Sequence, residues 1–327
     1  MGRESRMEKI IEVHGLQKSF GKVQAVCGIE FCVERGKLFA FLGPNGAGKS
    51  TTIDMLCTLS RPDGGSALID GYELGKEDGQ IRKSIGVVFQ DSMLDPLLTV
   101  RENLMTRARF YGMGRRELRA AVRTAAGTAD VLEFLDRPYG KLSGGQRRRA
   151  DIARALVHTP KILFLDEPTT GLDPRTKEGV WRTITELQRR TGMTVFLTTH
   201  YMEEAAAADH IVLLAGGKVA AMGTPYDLQE RYSSDRLCVK PKKKDEFVEF
   251  LIERGVPFTE KAGVFTMKLR HTVDALPLLQ QAGDRVESFE VLHGSMEDVF
   301  LNLTGGTFQE VDGDCLLYTS DAADDLI

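Results

Sequence analysis

The segment GPNGAGKST at residues 43–51 constrains the fold of this chain more than any other feature. It fits the pattern G-x-x-x-x-G-K-[ST], in which glycine N–H groups turn toward a phosphate chain because no Cβ blocks the approach. The apolar run at 38–42 indicates a buried strand before it, and apolar residues at helical spacing from Ile53 indicate a helix after it. Strand, glycine loop and helix in this order predict a phosphate-binding α/β fold.

Two side chains of this loop suit the charges of a nucleoside triphosphate. Lys49 supplies a compact cation for the β- and γ-phosphates, and Ser50 supplies a hydroxyl for Mg²⁺. The helix that begins here points the positive end of its dipole at the anion. The residues of this segment expected to bind nucleotide are Gly43, Asn45, Gly46, Ala47, Gly48, Lys49, Ser50 and Thr51.

A second motif, LSGGQ, occupies residues 142–146. Its purely structural interpretation is a capping box, in which Ser143 caps a helix and Gln146 bonds back to it. Two glycines in the first turn then need a separate reason because they lower helix stability, and close approach of an anion to the free N–H groups is such a reason. The expected binding residues here are Ser143, Gly144, Gly145 and Gln146.

Acidic residues follow a predicted central strand in KILFLDEPTTGLDP, residues 161–174. The continuous apolar run at 162–165 is typical of a parallel strand covered on both faces. Asp166 and Glu167 then lie at its carboxyl end, where ligands of open α/β sheets bind. We expect Asp166 to hold Mg²⁺ through water and Glu167 to orient or polarise the attacking water.

Two more polar residues follow predicted strands. The run at 194–199 ends in His200, which can reach a γ-phosphate from the end of a neighbouring strand. Gln90 follows the strand at 85–89 in the same way. A lone histidine is usually a structural or a surface residue, so the weight of His200 comes from the motifs around it.

With these motifs in order, residues 8–232 resemble the ATP-binding subunits of ABC transporters. The family's Walker A motif is matched by 43–51, its Q-loop glutamine by Gln90, its signature by 142–146 and its Walker B motif by 162–166. Its catalytic glutamate is matched by Glu167, its D-loop by 171–174 and its switch histidine by His200. The resemblance also places the ring of Phe20 against adenine, and implies that Ser50, Gln90 and Asp166 serve Mg²⁺. Ala150 departs from the family pattern, which commonly has a larger aliphatic residue there.

The resemblance implies a fold and an assembly. The fold is α/β, a P-loop NTPase of the ABC nucleotide-binding type with a mixed sheet core, an N-terminal β portion and a helical subdomain. ATP and Mg²⁺ are the implied cofactors, and ATP is hydrolysed in a head-to-tail homodimer that powers a separate integral membrane permease. The segments TTHYMEEA (198–205) and SMEDVFLNLTG (295–305) resemble the daunorubicin-resistance type, which implies export of a drug-like or other hydrophobic compound.

Two other functions compete with this interpretation. ABC proteins that act on ribosomes usually carry two tandem ATPase domains with a charged linker, and those that act on DNA interrupt the core with a coiled coil. This chain shows neither feature. A degenerate subunit that only binds nucleotide is the other alternative, but Glu167 and His200 are both present.

Composition is consistent with a transport ATPase at the inner surface of the membrane. The formal net charge is −4, from 43 basic and 47 acidic residues. The overall charge of the protein therefore does not attract nucleic acid, and nucleic acid is not expected as a partner. No run of about 18 apolar residues predicts a membrane span, and the charged N-terminus lacks an export signal. Five cysteines without metal spacing suit a reducing compartment. We therefore expect a peripheral protein at the cytoplasmic face, held there by the permease.

The chain of 327 residues is long enough for two domains. We expect an ATP-binding domain at 1–232, with a helical insert from about residue 100 to 156, and a small α/β accessory domain at 235–306. The remainder, 307–327, is expected to be disordered or artefactual, because CLLYTSDAADDLI resembles translated adapter sequence more than a natural ending.

Overall fold

The computed structural model describes residues 8–304 and the backbone of two further strands. The chain divides into two compact units, Met1–Thr224 and Pro225–Ile327. The sequence places the domain boundary later, at residue 232, and the difference is one helix, Pro225–Tyr232, which lies with the second unit. Leu228 of this helix is buried, and the Tyr232 carbonyl accepts a hydrogen bond from Asn302 Nδ2 at 2.8 Å.

The first unit consists of ten strands and seven α-helices within its described residues. The strands are β1 (Lys9–Phe20), β2 (Val23–Glu34), β3 (Leu38–Leu42), β4 (Gly64–Ile69), β5 (Tyr72–Glu73), β6 (Ile85–Val88), β7 (Ile162–Asp166), β8 (Thr194–Thr199), β9 (His210–Ala215) and β10 (Lys218–Gly223). The helices are α1 (Lys49–Leu56), α2 (Asp78–Ser84), α3 (Val100–Arg109), α4 (Arg115–Thr128), α5 (Gly144–Leu156), α6 (Pro174–Thr191) and α7 (Met202–Ala206). Short 3₁₀ turns lie at Leu132–Phe134 and Tyr139–Lys141.

These strands form two sheets. An antiparallel sheet has the order β2-β1-β4-β5, and a six-stranded sheet has the order β10-β9-β3-β8-β7-β6. In the second sheet β3, β6, β7, β8 and β9 pair in parallel, and β10 joins antiparallel to β9. The predicted mixed-sheet α/β fold is therefore confirmed. Strands β3, β7 and β8 are buried along their whole length, which explains their continuous apolar sequences.

The core of this unit lies between the two sheets. Phe196 in β8 contacts Phe41 and Phe164, with ring centroids 4.9 and 5.1 Å apart. Phe31, which comes from the antiparallel sheet, packs edge-on against Phe41 at 4.9 Å. Aromatic rings bury large apolar areas, and edge contacts add a favourable quadrupole term, so this cluster holds the parallel strands in place.

The three helices α3, α4 and α5 form the helical insert that the sequence predicts. Thr99 begins α3 with a capping box to Glu102. The following helix α6 begins at Pro174 after the cap Asp173, whose carboxylate accepts from the Thr176 N–H at 3.1 Å. These local signals fix where the helices start, and so where the segments between strands and helices lie.

The second unit is a smaller α/β body. Its elements are α8 (Pro225–Tyr232), β11 (Asp235–Pro241), α9 (Lys244–Glu253), β12 (Thr259–Lys261), β13 (Val264–Leu269), α10 (Ala275–Ala282), β14 (Val286–Leu292) and α11 (Met296–Thr304), with 3₁₀ turns at Thr272–Asp274 and Gly283–Arg285. The sheet is antiparallel, in the order β12-β13-β11-β14. Phe247, Phe250 and Phe265 lie in its apolar core.

The backbone of β15 (Thr307–Val311) and β16 (Cys315–Thr319) pairs antiparallel. Residues 305–306, 312–314 and 320–327 of the tail lie outside the described residues, as do residues 1–7. In the part of the chain that the structure describes, no helix is long and apolar enough to span a membrane.

Candidate active site

The parallel sheet brings the predicted motifs to one edge. Strand β8 lies between β3 and β7 in the sheet, and all three run in the same direction. The glycine loop follows β3, Glu167 follows β7, and His200 follows β8. Because the carboxyl ends of parallel strands meet at one edge, these three groups converge.

Packing accounts for two glycines of the loop. A Cβ on Gly43 would lie 2.4 Å from the Leu214 carbonyl oxygen, and one on Gly48 would lie 2.4 Å from the Ala25 carbonyl oxygen. Gly46 has open space around it but takes a φ of +80°. Its glycine is needed for backbone conformation rather than for packing. Asn45 is exposed, Ala47 is buried, and Thr51 is half-buried in the first turn of α1.

Lys49 curls back over the loop that precedes it. Its side chain is 4% exposed, and Nζ donates to the carbonyl oxygens of Gly43 at 2.6 Å and Pro44 at 3.0 Å. Burial lowers the pKa of the Lys49 ammonium, and the charges of Glu167 and Asp166 oppose this shift. The ammonium is therefore held at the loop, where a phosphate oxygen could replace either carbonyl as its acceptor.

Asp166 joins the loop to the neighbouring strands. Its Oδ1 accepts hydrogen bonds from Thr198 Oγ1 at 2.5 Å and from Ser50 Oγ at 3.3 Å. Among residues 8–304 no three His, Cys, Asp or Glu side chains cluster as a metal site. Mg²⁺ keeps several waters and needs only one or two protein oxygens beside phosphate oxygens, so the Ser50 hydroxyl next to Asp166 fits its requirements.

Glu167 is held in an unusual conformation. Its φ is +43°, in the left-handed region that glycine favours, and its N–H donates to Thr198 Oγ1 at 3.1 Å. Oε2 accepts from Thr170 Oγ1 at 3.0 Å, and Oε1 lies 3.8 Å from Lys49 Nζ. Backbone strain of this kind costs about 1–3 kcal/mol and persists where surrounding contacts impose it.

His200 completes this group. Its Nδ1 lies 3.4 Å from Glu167 Oε1, but within the described residues this buried nitrogen has no partner in hydrogen-bond geometry. The His200 contact is the main cause that lowers the pKa of the Glu167 carboxyl below its ordinary value. Lys49 and Thr170 lower that pKa further, and burial opposes them. Glu167 is therefore a carboxylate at neutral pH.

The signature segment forms the predicted capping box. Gln146 N–H donates to Ser143 Oγ at 3.4 Å, and Ser143 N–H donates to Gln146 Oε1 at 3.1 Å. Packing within the chain contributes a reason for the two glycines. A Cβ on Gly145 would lie 2.4 Å from a methyl carbon of Thr176, and one on Gly144 would lie 2.9 Å from Leu172. No hydrogen bond or ion pair joins 143–146 to the loop 43–51 in the described part of the chain.

Phe20 and Gln90 lie apart from the convergent group. Phe20 ends β1 and is 56% exposed, and Lys18 Nζ lies 5.5 Å from the centroid of its ring. Gln90 follows β6, the strand next to β7, and is exposed. Both residues are exposed, and in the described part of the chain no hydrogen bond or ion pair joins either side chain to the loop.

Sequence reasoning missed several residues that support the site. Glu204 is buried in α7 and accepts hydrogen bonds from Thr169, in the segment after Glu167, and from Thr199 Oγ1 at 2.6 Å. It therefore ties the segment after β7 to the end of β8. Two threonines at the end of a buried strand were the available signal, because a buried hydroxyl needs a partner. Arg148 was also missed, and it hydrogen-bonds to the same region.

The comparisons with known proteins agree with this geometry. The sequence profile of the ABC transporter family matches residues 26–170. The chain is 39% identical over 310 residues to the daunorubicin/doxorubicin resistance ATP-binding protein DrrA of Streptomyces peucetius, covering 91% of this chain and 93% of that protein. It is 38% identical over 303 residues to the Nod factor export ATP-binding protein I of Rhizobium sp. (strain N33), covering 91% and 98%.

A solved structure shows the same fold. A dimeric ATP-binding cassette in a post-hydrolysis state, bound to ADP and phosphate, matches with a TM-score of 0.59 and 30% identity, covering 65% of this chain and 98% of that one. The relatives match nearly the whole chain, and the motifs converge at one sheet edge. The chain therefore belongs to the ABC transporter family, as an ATP-binding and ATP-hydrolysing subunit that powers a separate membrane permease.

Proposed function

We propose that two copies of this chain bind head to tail beneath a permease, at the cytoplasmic face of the membrane, and drive export of a drug-like or other hydrophobic compound. The observation that carries the ATPase half of this proposal is the position of the Glu167 carboxylate, 3.8 Å from Lys49 Nζ and 3.4 Å from His200 Nδ1. Export follows from the names of the relatives, which confer daunorubicin resistance or export Nod factors.

The loop and its neighbours would hold MgATP. Backbone N–H groups of 43–51 and the Lys49 ammonium would bind the phosphates, and the exposed Phe20 ring would stack on the base. Ser50, Gln90 and Asp166 would hold Mg²⁺, directly or through water. When bound, Mg²⁺ would supply charge neutralisation for the phosphate oxygens.

Glu167 would orient and polarise the attacking water. Its lowered pKa leaves it ionised at neutral pH, so it can accept a hydrogen bond from water, and the hydrogen bond from Thr170 Oγ1 holds the carboxylate in place. His200 Nδ1 lies next to Oε1 of Glu167, and the His200 side chain would contact the γ-phosphate. Catalysis of phosphoryl transfer depends mostly on positioning and charge, which these groups provide.

The separation of the signature from the loop supports a shared site. The N-terminus of α5 exposes Ser143 and Gly144, but it packs on α6 and not on its own glycine loop. A helix N-terminus binds phosphate well, so the signature of one copy would meet the nucleotide held by the other. Each copy carries both halves, and two identical chains would form two complete sites.

A groove in the first unit has the features of a permease contact. It encloses about 550 Å³ and is lined by exposed apolar side chains, with Leu59, Met93 and Phe110 60%, 66% and 78% exposed. At its polar side, Arg107 Nε and Arg154 Nε are buried without a hydrogen-bond partner in the described residues. The half-buried Arg107 side chain beside exposed apolar surface fits a segment that carries an acidic side chain among apolar ones. We propose that the permease supplies this segment.

An export assay tests the whole proposal. The chain is expressed in drug-sensitive cells together with a candidate permease, and drug efflux is measured with wild type and with Glu167→Gln. We expect efflux only with wild type. Efflux that is equal in both would contradict ATP-driven export by this chain.

Charge reversal tests the groove. Arg107→Glu should abolish co-purification with the permease and leave the ATPase rate of the isolated chain unchanged. Arg123→Glu on the exposed face of α4 is the matched control. Equal co-purification of both variants would contradict the proposed contact.

A further inference from the structure

Arg148 on the signature helix makes an unusual set of contacts. It lies in the second turn of α5, five residues after Ser143, and it is 7% exposed. A guanidinium has five N–H donors. Nε donates to Pro168 O at 2.6 Å, Nη1 to Phe89 O at 2.5 Å and Gln90 O at 3.4 Å, and Nη2 to Asp166 O at 2.9 Å and Glu167 O at 3.0 Å. All five donors therefore have a backbone carbonyl as partner.

These carbonyls come from two separate segments. One follows β6 and contains Gln90, and the other begins at Asp166, the last residue of β7, and contains Glu167. No carboxylate accepts a hydrogen bond from Arg148 within residues 8–304. The nearest acid on the same helix, Asp151, accepts instead from Ser92 Oγ at 2.7 Å and Tyr139 at 3.2 Å. Arg148 is thus a buried cation held by backbone dipoles rather than by an ion pair.

The neighbouring arginines on α5 show that this arrangement is particular to one position. Arg149 pairs with Asp130 at 2.6 Å, and Arg147 donates to the Gly140 carbonyl oxygen at 2.7 Å. Within residues 8–304, neither makes a hydrogen bond to the segment after β6 or to the segment after β7. Among these three arginines, only Arg148 joins the signature helix to both.

We infer that Arg148 is a positioning residue, which holds the Gln90 and Glu167 segments in fixed register with the signature helix. This inference rests on the proposed function, in which nucleotide binds at the N-terminus of α5 in the partner's site. A shift of α5 would then displace the Glu167 backbone of the same chain through the Arg148 hydrogen bonds. Engagement of the signature at one site is thereby linked to alignment of the carboxylate at the other.

Lysine cannot perform this task. Its ammonium has one nitrogen with three donors, and it lacks the planar fork that reaches acceptors on two sides. Arg148→Lys keeps the charge and loses most of the five bonds. Arg149→Lys is the matched control, one residue along the same helix.

Amide hydrogen exchange tests the link without any need for activity. In Arg148→Lys, peptides covering 88–91 and 167–170 should exchange about tenfold faster than in wild type, while 38–56 stays unchanged. In Arg149→Lys all three regions should match wild type. The inference would be overturned if 88–91 and 167–170 exchanged no faster in Arg148→Lys than in Arg149→Lys. It would also be overturned if exchange in 38–56 rose in Arg148→Lys as much as in those two segments.

Wild type provides a second measurement in case the variants fail to fold. In a series of low urea concentrations, exchange in 88–91, 144–150 and 167–170 should open as one cooperative unit. Opening of 144–150 at a lower urea concentration than the other two segments would overturn the link.

Kinetics then separate positioning from binding. Arg148→Lys should lower kcat about tenfold with the KM for ATP changed less than about threefold, because none of the five Arg148 hydrogen bonds goes to the loop 43–51. An unchanged kcat would contradict the inference. A wild-type protein without ATPase activity would contradict the proposed function instead, and the exchange results would stand.

Discussion

The carboxylate of Glu167 lies 3.8 Å from the ammonium of Lys49, so the charge expected to bind phosphate and the group expected to orient water face each other. Glu167→Gln keeps the shape of the side chain and removes its charge. We expect the variant to bind MgATP and to lose turnover by about a hundredfold or more, because an amide cannot polarise water as a carboxylate does. Steady-state phosphate release and binding of a fluorescent nucleotide measure the two effects. Near-normal turnover would remove Glu167 from the catalytic role.

Phe20 should contribute to nucleotide affinity. Phe20→Ala should weaken ATP binding by about 1–3 kcal/mol if the exposed ring stacks on the base, whereas Phe20→Trp should bind normally. Titration calorimetry gives the dissociation constants. Identical affinity in the alanine variant and wild type would mean that the ring serves another contact.

The shared site can be tested by mixing two damaged proteins. Lys49→Ala damages one half of a site and Ser143→Arg damages the other, so neither variant alone should form an ATP-dependent dimer. In a mixture, the intact loop of one chain meets the intact signature of the other, and one whole site returns. Energy transfer between labelled chains should therefore rise with ATP in the mixture only.

That measurement is best made with Glu167→Gln in both chains, so that hydrolysis does not disperse the dimer. ADP in place of ATP is the control for nonspecific association. A mixture that behaves like its separate components, with both variants folded, would indicate that 142–146 acts within its own chain.

His158 predicts how stability depends on pH. Burial lowers the pKa of His158 from 6.5 to about 4, and its ring stacks on Tyr111 with centroids 4.2 Å apart. Between these pKa values the unfolded chain binds a proton that the folded chain does not, so the free energy of unfolding falls as the pH falls from 6.5 to 4. The loss should be up to about 3 kcal/mol.

Urea unfolding of wild type and His158→Gln across this pH range isolates that contribution, because the glutamine does not titrate. As the pH falls, the free energy of unfolding of wild type should decrease more than that of His158→Gln. Parallel pH profiles would show that His158 takes up its proton in the folded protein as easily as in the unfolded chain.

Much of the fold was open to prediction because its signals are local. The apolar runs at 38–42 and 194–199 correspond to β3 and β8, and the serine and glutamine of 142–146 form the expected capping box. The supporting contacts were not predictable in this way. The five acceptors of Arg148 are backbone carbonyls, which every residue has, and they meet only when two distant segments fold together.

The same limit applies to the signature glycines. A helix N-terminus without side chains suggests an anion, and the sequence contains no sign that Thr176 will approach Gly145. Packing between α5 and α6 appears only in three dimensions.

The glycines at the two ends of the loop, Gly43 and Gly48, are confined by neighbouring backbone oxygens, whereas Gly46 has open space. A library of variants selected only for folding would therefore exclude every larger residue at the first two positions, even if ATP were never present. Asparagine tolerates a positive φ, so a variant with asparagine at Gly46 would pass the selection for folding. It would fail only in a selection for ATP hydrolysis. In this chain, the need for glycine at Gly43 and Gly48 is evidence about the folded backbone before it is evidence about a ligand.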